Sequence, residues 1–470
     1  MRKSGQCAYH VPKPVHIAQG GQHMIPLVST PDFVRQYARQ YADLLSPDLL
    51  DHFERFLSGI FVCERRNIET INDAFVVAVK NQSSANRFLT EYDWSTKELN
   101  ERRLKLLRED PQTCPRRSGV LALDDTYTIK QGEHFAGAGY YYLPSKKFYS
   151  WAHNIVTLHY ADTVCDYPLE YALYEQTDVD EAVKLLDEHG GRYNPEVLAR
   201  KTTATAKRRY IWPKLRAVKE LEDYFPSKIQ LACRLVDWAD EHGFYQPYVF
   251  DSWYTCKELC QHISQKGRDW IGTTDASDGI YWRGKWHNLG EWVASRPDRE
   301  FVETSFQYHE QKEVYYVGSW VAPIGKLGRV RLVASYKKAD RTDKPKFFPA
   351  SKLTWECKHI LQRRRRRWTV ETAYEDFKGP LGFDEYELRD IDGIKRHWYL
   401  VFAAYSASRA ATAQGRFGKW VNDHLFTVGD VCRQIQGEAL AALVSFCATQ
   451  TLAGEKLDSV LRHVLSHLAR

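Results

Sequence analysis

The sequence predicts an α/β protein in which a mixed sheet is interrupted by a β-rich insertion and flanked by helical regions at both ends. Three observations predict this class. Apolar residues recur at helical spacing before residue 109, short apolar runs alternate with helical stretches between 117 and 267, and Trp, Tyr, Val and Thr become frequent between 269 and 350. Strands that alternate with helices are typical of an α/β domain.

The composition is that of a globular protein with a buried core. Of 470 residues, 43% are hydrophobic and 27% are charged, and a chain of this length has room for roughly two to four compact units. Residues 1–20 carry Lys, His, Gln and Pro throughout and no long apolar run follows, so we expect a soluble cytoplasmic protein. The ten cysteines form no CxxC pair, which disfavours a disulfide scaffold or zinc ribbon.

The N-terminal region, residues 1–116, is predicted to be helical. Phe33, Tyr37 and Tyr41 recur at a spacing of four, and the apolar residues of segment 49–60 continue at three and four. Pro111 and Pro115 lie in a polar stretch that marks a linker.

The α/β core is predicted to begin at residue 117, and its first part extends to residue 267. Its first strand is the apolar run 119–123, which leads directly into Asp124 and Asp125. Another short strand, 248–250, leads into Asp251. The other predicted elements are strands at 150–160 and 166–174 and helices at 179–188, 229–242 and 255–266.

The β-rich insertion is predicted to occupy residues 268–351. Segments 314–325 and 329–338 have the β-branched and aromatic content of strands. The second part of the core, 352–412, turns helical again through Glu371 to Lys378, with a further helix at 393–412. A C-terminal helical region, 413–470, contains a predicted helix at 428–467.

Three carboxylates suit a site for hard cations, because Asp124 and Asp251 end separate strands and Glu371 lies on a later helix. Mg²⁺ prefers oxygen ligands, and two such ions can activate a hydroxyl and stabilise the leaving oxygen of a phosphodiester. An aspartate at a strand end is more often a turn or cap residue. Alternatives also remain: Asp125 competes with Asp124, while Glu375 and Asp376 compete with Glu371.

The segment that contains Glu371 resembles a known family. It reads RRRRRWTVETAYEDFKGPLGFDEYELRDIDGIKRH from Arg363 to His397. This is similar to the third-carboxylate helix of DDE-class transposases of bacterial insertion sequences, whose RNase H-like core is interrupted by a β insertion. Arg367, Glu371 and Lys378 match the R-x3-E-x6-K part of that family's Y-x2-R-x3-E-x6-K pattern, while Arg364 stands at the Tyr position.

The resemblance extends to both aspartates. LALDDT is similar to the family's first-Asp strand and selects Asp124, with Thr126 in its third position. YVFDSWY is similar to the second-Asp strand and selects Asp251. FLSGIFVCERRNIETI in the N-terminal region adds to the likeness, which covers most of residues 50–410.

The resemblance implies a DDE transposase that catalyses metal-dependent DNA strand cleavage and strand transfer at insertion-sequence ends, in cut-and-paste fashion and in many members through a hairpin intermediate. Asp124, Asp251 and Glu371 would be the catalytic residues and would bind two Mg²⁺ ions, with Mn²⁺ able to substitute. The expected partners are double-stranded DNA, as terminal repeats and target, and a second copy of the chain. Region 1–116 would bind DNA ends, and region 413–470 would dimerise. The protein would act in a bacterial cytoplasm and would lie on the nucleoid when DNA is bound.

DNA contacts are expected from the basic residues around Glu371. Five consecutive arginines project all round a helix, so they cannot be equivalent, and their alternative role is a solvated face. Basic segments 201–219 and 326–346 can also neutralise phosphates. The candidate DNA-binding residues are Arg363, Arg364, Arg365, Arg366, Arg367, Lys378 and Arg389.

Two other functions compete with a transposase. The first is a transposase-derived DNA-binding protein that no longer cuts, which has no physical reason to keep clustered negative charge against DNA. The second is an RNase H-like nuclease or resolvase of branched DNA, against which the β insertion and the arginine-rich helix count. The resemblance also implies that an aromatic residue of the insertion can stack on an extruded base, but no single one is selected among Trp270, Trp282, Trp286, Trp292 and Trp320.

Overall fold

The computed structural model describes residues 25–132, 134–143, 146–221, 223–308, 311–415 and 427–466. The predicted α/β class is confirmed: a 12-stranded mixed sheet is preceded and followed in the chain by helices. Over the ranges described, no helix has the length and apolar character needed to cross a membrane. Residues 1–24 of the predicted N-terminal region, and residue 467 at the predicted end of the last helix, lie outside these ranges.

The N-terminal helices have the caps that their sequences predict. Ser46 accepts a hydrogen bond from the Leu49 amide, with Pro47 as the first helical residue, and Ser95 caps in the same way. Phe53 and Ile60 are fully buried on the predicted apolar face. These helices are α1 (Asp32–Ala38), α2 (Pro47–Val62), α3 (Ile68–Ala74), α4 (Gln82–Thr90) and α5 (Thr96–Glu109).

The first part of the core contributes one side of the sheet and five helices. Its strands are β1 (Val120–Ile129), β2 (Gly139–Leu143), β3 (Phe148–Ala161), β4 (Asp166–Tyr174) and β5 (Tyr248–Val249), and the next strand, β6 (Trp270–Ile271), lies at the start of the predicted insertion. Its helices are α6 (Val179–Glu188), α7 (Pro195–Ala199), α8 (Ala204–Arg216), α9 (Lys228–Glu241) and α10 (Lys257–Gln265). The strands and helices predicted in 117–267 are present, and β2, α7 and α8 were not predicted.

The strand order places the ends of β1 and β5 side by side. β3 pairs antiparallel with β1, β2 and β4, whereas β1 pairs parallel with β5 and β5 parallel with β6. Parallel neighbours need crossover connections, which here include α9 before β5 and α10 before β6. Three antiparallel strands are therefore continued by two parallel ones, as an RNase H-like mixed sheet requires.

The residues of the predicted insertion continue the same sheet. β12 pairs antiparallel with β6 through Ala350 and Ile271, and β11 and β10 follow in order. Trp270 and Trp292 are buried, whereas Trp286 is exposed. The elements are β7 (Gly279–Trp282), β8 (Lys285–Asn288), α11 (Leu289–Ala294), β9 (Phe301–Tyr308), β10 (Gln311–Ile324), β11 (Gly328–Tyr336) and β12 (Lys346–Ala350).

The last helices are divided more finely than the sequence predicts. The helix through Glu371 is interrupted at Arg367, and the predicted helix 428–467 is two helices separated near Gly454, whose φ is +100°. The helices are α12 (Cys357–Arg366), α13 (Trp368–Lys378), α14 (Ile391–Gln414), α15 (Val428–Leu452) and α16 (Leu457–Leu465). The division of the chain into five domains stays a prediction.

A buried arginine ties the N-terminal helices to the core. Arg103 of α5 is fully buried, and its guanidinium donates to the carbonyls of Pro168 (2.8 Å) and Leu169 (3.1 Å), to Ser406 Oγ (2.8 Å) and to Asn100 Oδ1. These acceptors lie on β4, α14 and α5, which Arg103 therefore joins.

Replacing Arg103 with Met should lower the free energy of unfolding by about 2–4 kcal/mol, because the buried acceptors lose their donor. Chemical denaturation followed by circular dichroism measures this change. Lys105→Ala on the same helix, whose side chain is 64% exposed, is the matched control and should change the free energy by less than about 0.5 kcal/mol. Equal effects of the two substitutions would contradict a structural role for Arg103.

Candidate active site

The pairing of β1 with β5 brings two of the predicted carboxylates to one level of the sheet. Ala122 lies opposite Val249 in the parallel register, and Asp124 and Asp251 each follow two residues later. Neighbouring strands lie about 4.8 Å apart. Asp251 then turns the chain, because its Oδ1 accepts the backbone N–H groups of Trp253 (3.0 Å) and Tyr254 (3.2 Å).

One guanidinium joins the first carboxylate to the third. Arg367 Nη1 lies 2.5 Å from Asp124 Oδ2, and Arg367 Nη2 lies 2.5 Å from Glu371 Oε1. Glu371 follows Arg367 by one helical turn, so the side chains share a face of α13. The Arg367 side chain is 10% exposed and that of Asp124 is 15% exposed, so the guanidinium is held between the sheet and the helix.

Negative charge at this cluster exceeds what Arg367 can compensate. Burial raises the pKa of Asp124 to about 7; Arg367 opposes this rise and Asp251 adds to it. Arg364 is also within electrostatic reach, and burial together with Arg367 lowers its pKa to about 10, while Asp251, Glu371 and Asp124 oppose that shift. Two carboxylates share one guanidinium while Asp251 contributes a third charge, so a cation at this place would be favoured.

Asp125 points to the opposite face of the sheet. Successive strand residues alternate between faces, and Asp125 Oδ2 accepts from Lys228 Nζ (2.7 Å) and Asn154 Nδ2 (2.8 Å). Its Oδ1 accepts from the hydroxyl of Tyr254 at 3.0 Å. Asp125 therefore has its own counter-charge and is separated from Asp124 by the sheet.

The two competitors of Glu371 lie elsewhere. Glu375 is exposed. Burial raises the pKa of Asp376 to about 6; Arg409 opposes this rise, and Asp166 and Glu375 add to it. Glu371 is the one of the three that shares a guanidinium with Asp124.

The five arginines point in different directions, as a helical run must. Arg363 lies over the ring of Trp355 at 4.9 Å, Arg364 donates to Thr273 Oγ1 (3.1 Å), Arg365 pairs with Glu313 (2.7 Å), Arg366 donates to the Ser118 carbonyl, and Arg367 holds Asp124 and Glu371. In the free chain they are thus not a single solvated face. Their DNA-binding role stays a prediction.

Lys378 is placed beside the first strand. Its Nζ donates to Thr126 Oγ1 at 2.7 Å, and burial lowers its pKa, with Lys146 a like-charged neighbour. Thr126 lies two residues after Asp124 and so on the same face of the sheet. Arg389 is exposed.

The donors suit a hard cation, although Arg367 lies where a cation would have to bind. Within the ranges described, no three His, Cys, Asp or Glu side chains are close enough to hold a metal ion. Three carboxylates from two strand ends and one helix are the oxygen donors that Mg²⁺ prefers. A divalent cation bound to Asp124 and Glu371 would have to displace the guanidinium.

Several residues of this region were not identified from the sequence. Lys228 and Asn154, the partners of Asp125, come from α9 and β3, and no local pattern connects them with β1. One signal was available: alternation along a strand separates Asp124 and Asp125 by face. It could not say which face meets the helix that carries Glu371.

The chain has matches among known proteins. A family model described as "DDE superfamily endonuclease" matches residues 41–282, slightly more than half of the 470 residues. No curated protein matches. A solved structure described as "Cryo-EM structure of piggyBac transposase synaptic complex with hairpin DNA (SNHP)" is similar over 94% of this chain and 81% of that chain, with 11% identity and a TM-score of 0.43.

Asp124→Asn should gain stability relative to the unsubstituted protein as pH rises, when both are free of metal. The folded pKa of Asp124, about 7, lies above the ordinary value of 3.8, so ionisation costs folding free energy progressively between these pH values. Asparagine removes that cost. The difference should grow in favour of the variant from pH 4 to 7, by about 1.4 kcal/mol per pKa unit or roughly 4 kcal/mol in total, and stay constant above. Denaturant titrations in EDTA across this range measure it.

Asp125→Asn is the matched control and should do the opposite. It leaves Lys228, whose side chain is 13% exposed, without its counter-charge and should cost about 2–4 kcal/mol at pH 8. If both substitutions destabilise equally at pH 8, the two aspartates do not differ in environment as described.

Proposed function

The chain belongs to the DDE superfamily endonuclease family, and we propose that it is a transposase that cuts DNA at the ends of its own mobile element and joins those ends to a target. The observation that carries this proposal is that Arg367 pairs with both Asp124 and Glu371, while Asp251 lies within electrostatic reach of Asp124. Family membership supports an endonuclease. The R-x3-E-x6-K likeness around Glu371 supports the more specific assignment to a transposase.

The three carboxylates are proposed as the ligands of two Mg²⁺ ions, for which Mn²⁺ could substitute. When bound, such ions activate an attacking hydroxyl and stabilise the leaving oxygen of a phosphodiester. Asp124 is preferred to Asp125 because it shares a guanidinium with Glu371, whereas Asp125 is paired with Lys228. The hydrogen bond that Asp125 accepts from the Tyr254 hydroxyl would hold β1 against the turn that carries Asp251.

Arg367 is proposed to exchange partners during the reaction. In the free protein it holds Asp124 and Glu371. When cations occupy these carboxylates, the released guanidinium can bind a phosphate oxygen pair, for which its planar fork is suited. Lys378, beside Thr126 on the same sheet face, would bind a neighbouring phosphate.

The proposed reaction has two steps. Water attacks the phosphodiester at the element end, and the freed 3′-hydroxyl then attacks either the opposite strand, giving a hairpin, or the target. The substrate is double-stranded DNA, and we expect two copies of the chain to hold the two ends in the cytoplasm. A DNA binder that no longer cuts and a resolvase of branched DNA are the competing functions.

Asp124→Asn, Asp251→Asn and Glu371→Gln should each abolish strand cleavage, by at least about a hundredfold, while leaving DNA affinity nearly intact. Neutralising a metal ligand removes cation affinity but leaves distant phosphate contacts in place. Cleavage of labelled element-end DNA with and without Mg²⁺, together with binding in EDTA, measures both properties.

Asp125→Asn is the comparison for cleavage and should retain more activity than Asp124→Asn at a temperature where both are folded. Cleavage at the unsubstituted rate by any of the three carboxylate variants would remove that residue from the site. Metal-independent cleavage would refute the proposed mechanism. Binding without any cleavage of element ends would favour the silent DNA binder.

Arg367→Ala and Lys378→Ala should each reduce the steepness of log K against log[salt] on element-end DNA by about 0.9, because each removes one phosphate contact. Arg364→Ala should remove a less specific DNA contact, because the resembled family has Tyr at the position of Arg364. Titrations at several salt concentrations, with metal present and an uncleavable linkage at the scissile position of the DNA, measure the slopes.

Lys184→Ala, whose side chain is 75% exposed on α6, is the control for loss of one surface charge. Slopes that stay unchanged in the Arg367 and Lys378 variants would mean that these residues do not contact DNA. The phosphate contacts would then be sought first in segment 201–219, which includes α8.

A further inference from the structure

The hairpin of β2 and β3 carries an exposed strip of four aromatic rings, Tyr140, Tyr142, Tyr149 and Trp151, called the aromatic strip below. Tyr140 is 51% exposed, Tyr142 45% and Tyr149 58%, while Trp151 is half-buried. Contiguous exposed apolar surface is uncommon in proteins and marks a binding site more often than scattered residues do. No part of the proposed reaction uses these rings.

The rings of the aromatic strip form a continuous row. Tyr140 lies opposite Trp151 and Tyr142 opposite Tyr149 in the antiparallel register, so all four project from one face. The ring centroids of Tyr140 and Tyr149 are 5.6 Å apart with planes 19° from parallel. Tyr140 and Trp151 are 5.7 Å apart, and Tyr142 and Tyr149 are 5.2 Å apart. Each ring therefore supports its neighbour's orientation.

The aromatic strip lies on the sheet face that carries Asp124. Asp124 is paired with Thr157 of β3, and Thr157 and Trp151 are an even number of residues apart, which puts them on the same face. The distance along β3 from Thr157 to Trp151 is about 20 Å. Between them this face is covered: Tyr374 contacts Thr157, Lys378 contacts Thr126, and Tyr386 contacts Thr128.

The charge around the aromatic strip favours a polyanion. Lys146 and Lys147 lie exposed at the tip of the hairpin, and Lys146 is within electrostatic reach of Lys378. The described part of the hairpin, 139–143 and 146–153, contains no Asp or Glu. Aromatic platforms that alternate with cations are the features by which proteins bind unpaired nucleic-acid bases with little sequence preference.

We propose that the aromatic strip is a binding site for single-stranded DNA, in which unpaired bases stack on Tyr140, Tyr142, Tyr149 and Trp151 while the lysines at the hairpin tip contact the backbone. The choice of DNA as the nucleic acid rests on the proposed function, because strand cleavage at an element end releases unpaired bases on the face that carries Asp124. The strip would hold such a strand away from the site of cleavage.

The test is binding of a fluorescein-labelled oligothymidylate of roughly 12 nucleotides by the full chain in EDTA, where no cleavage occurs. Tyr140→Ala/Tyr149→Ala should weaken this binding about tenfold or more, because two stacking platforms are lost. Tyr140→Phe/Tyr149→Phe should retain it, since the rings remain. An abasic strand of equal length should bind the unsubstituted protein at least as weakly as the thymidylate binds the alanine variant, in which Tyr142 and Trp151 remain.

The matched control is a pair of exposed tyrosines outside the hairpin. Tyr224 is 45% exposed and Tyr245 57%, and Tyr224→Ala/Tyr245→Ala should bind the oligothymidylate as the unsubstituted protein does. Equal weakening by both double variants would show that exposed aromatic rings in general, and not the aromatic strip, bind the strand.

Two further outcomes would overturn the proposal. Unchanged affinity of Tyr140→Ala/Tyr149→Ala would show that the strip does not bind bases. A change of oligomeric state in that variant, without a change in affinity, would assign the strip to a contact between copies of the chain. Loss of cleavage in Asp251→Asn tests the proposed function separately, because that variant should still bind the oligothymidylate.

Discussion

The arrangement of the candidate site depends on the ion pairs of Arg367. Asp124 and Glu371 are carboxylates in a partly buried place, with Asp251 beside them, and their repulsion would disfavour the approach of α13 to β1. The guanidinium contacts both at 2.5 Å and makes that approach favourable. The interruption between α12 and α13 occurs at the same residue, so the residue that separates the two helices also provides the cation that meets the sheet.

Alternation along β1 organises the surroundings of this contact. Asp124, Thr126 and Thr128 face the segment 367–386, whereas Asp125 faces α9 and its Lys228. Adjacent aspartates consequently have opposite electrostatic surroundings: one has a lysine of its own and the other shares an arginine. The same alternation along β3 puts the aromatic strip of the hairpin on the sheet face that carries Asp124.

Local patterns predicted most of the elements that form the site, and long-range contacts were beyond them. The apolar run before Asp124, the short strand before Asp251 and the periodicity around Glu371 each follow from neighbouring residues, and they correspond to β1, β5 and α13. The pairing of Ala350 with Ile271 joins segments far apart in the chain, so the continuity of the insertion with the sheet was not predictable. The pairing of Lys228 with Asp125 was not predictable for the same reason. Helix α8 was not predicted because it contains Pro213, and proline disfavours a helix.

On the proposed function, Arg367 would also link the binding of cations to the binding of DNA. One guanidinium cannot hold two carboxylates and a phosphate at the same time, so cations that occupy Asp124 and Glu371 make Arg367 available to DNA. Linkage is reciprocal, and a phosphate that draws Arg367 away must therefore raise the affinity of the carboxylates for cations. Without DNA, the guanidinium competes with cations for the same oxygens, which keeps metal affinity low. The reactive arrangement would then form only when metal and DNA are both present, because each removes the obstacle to the other.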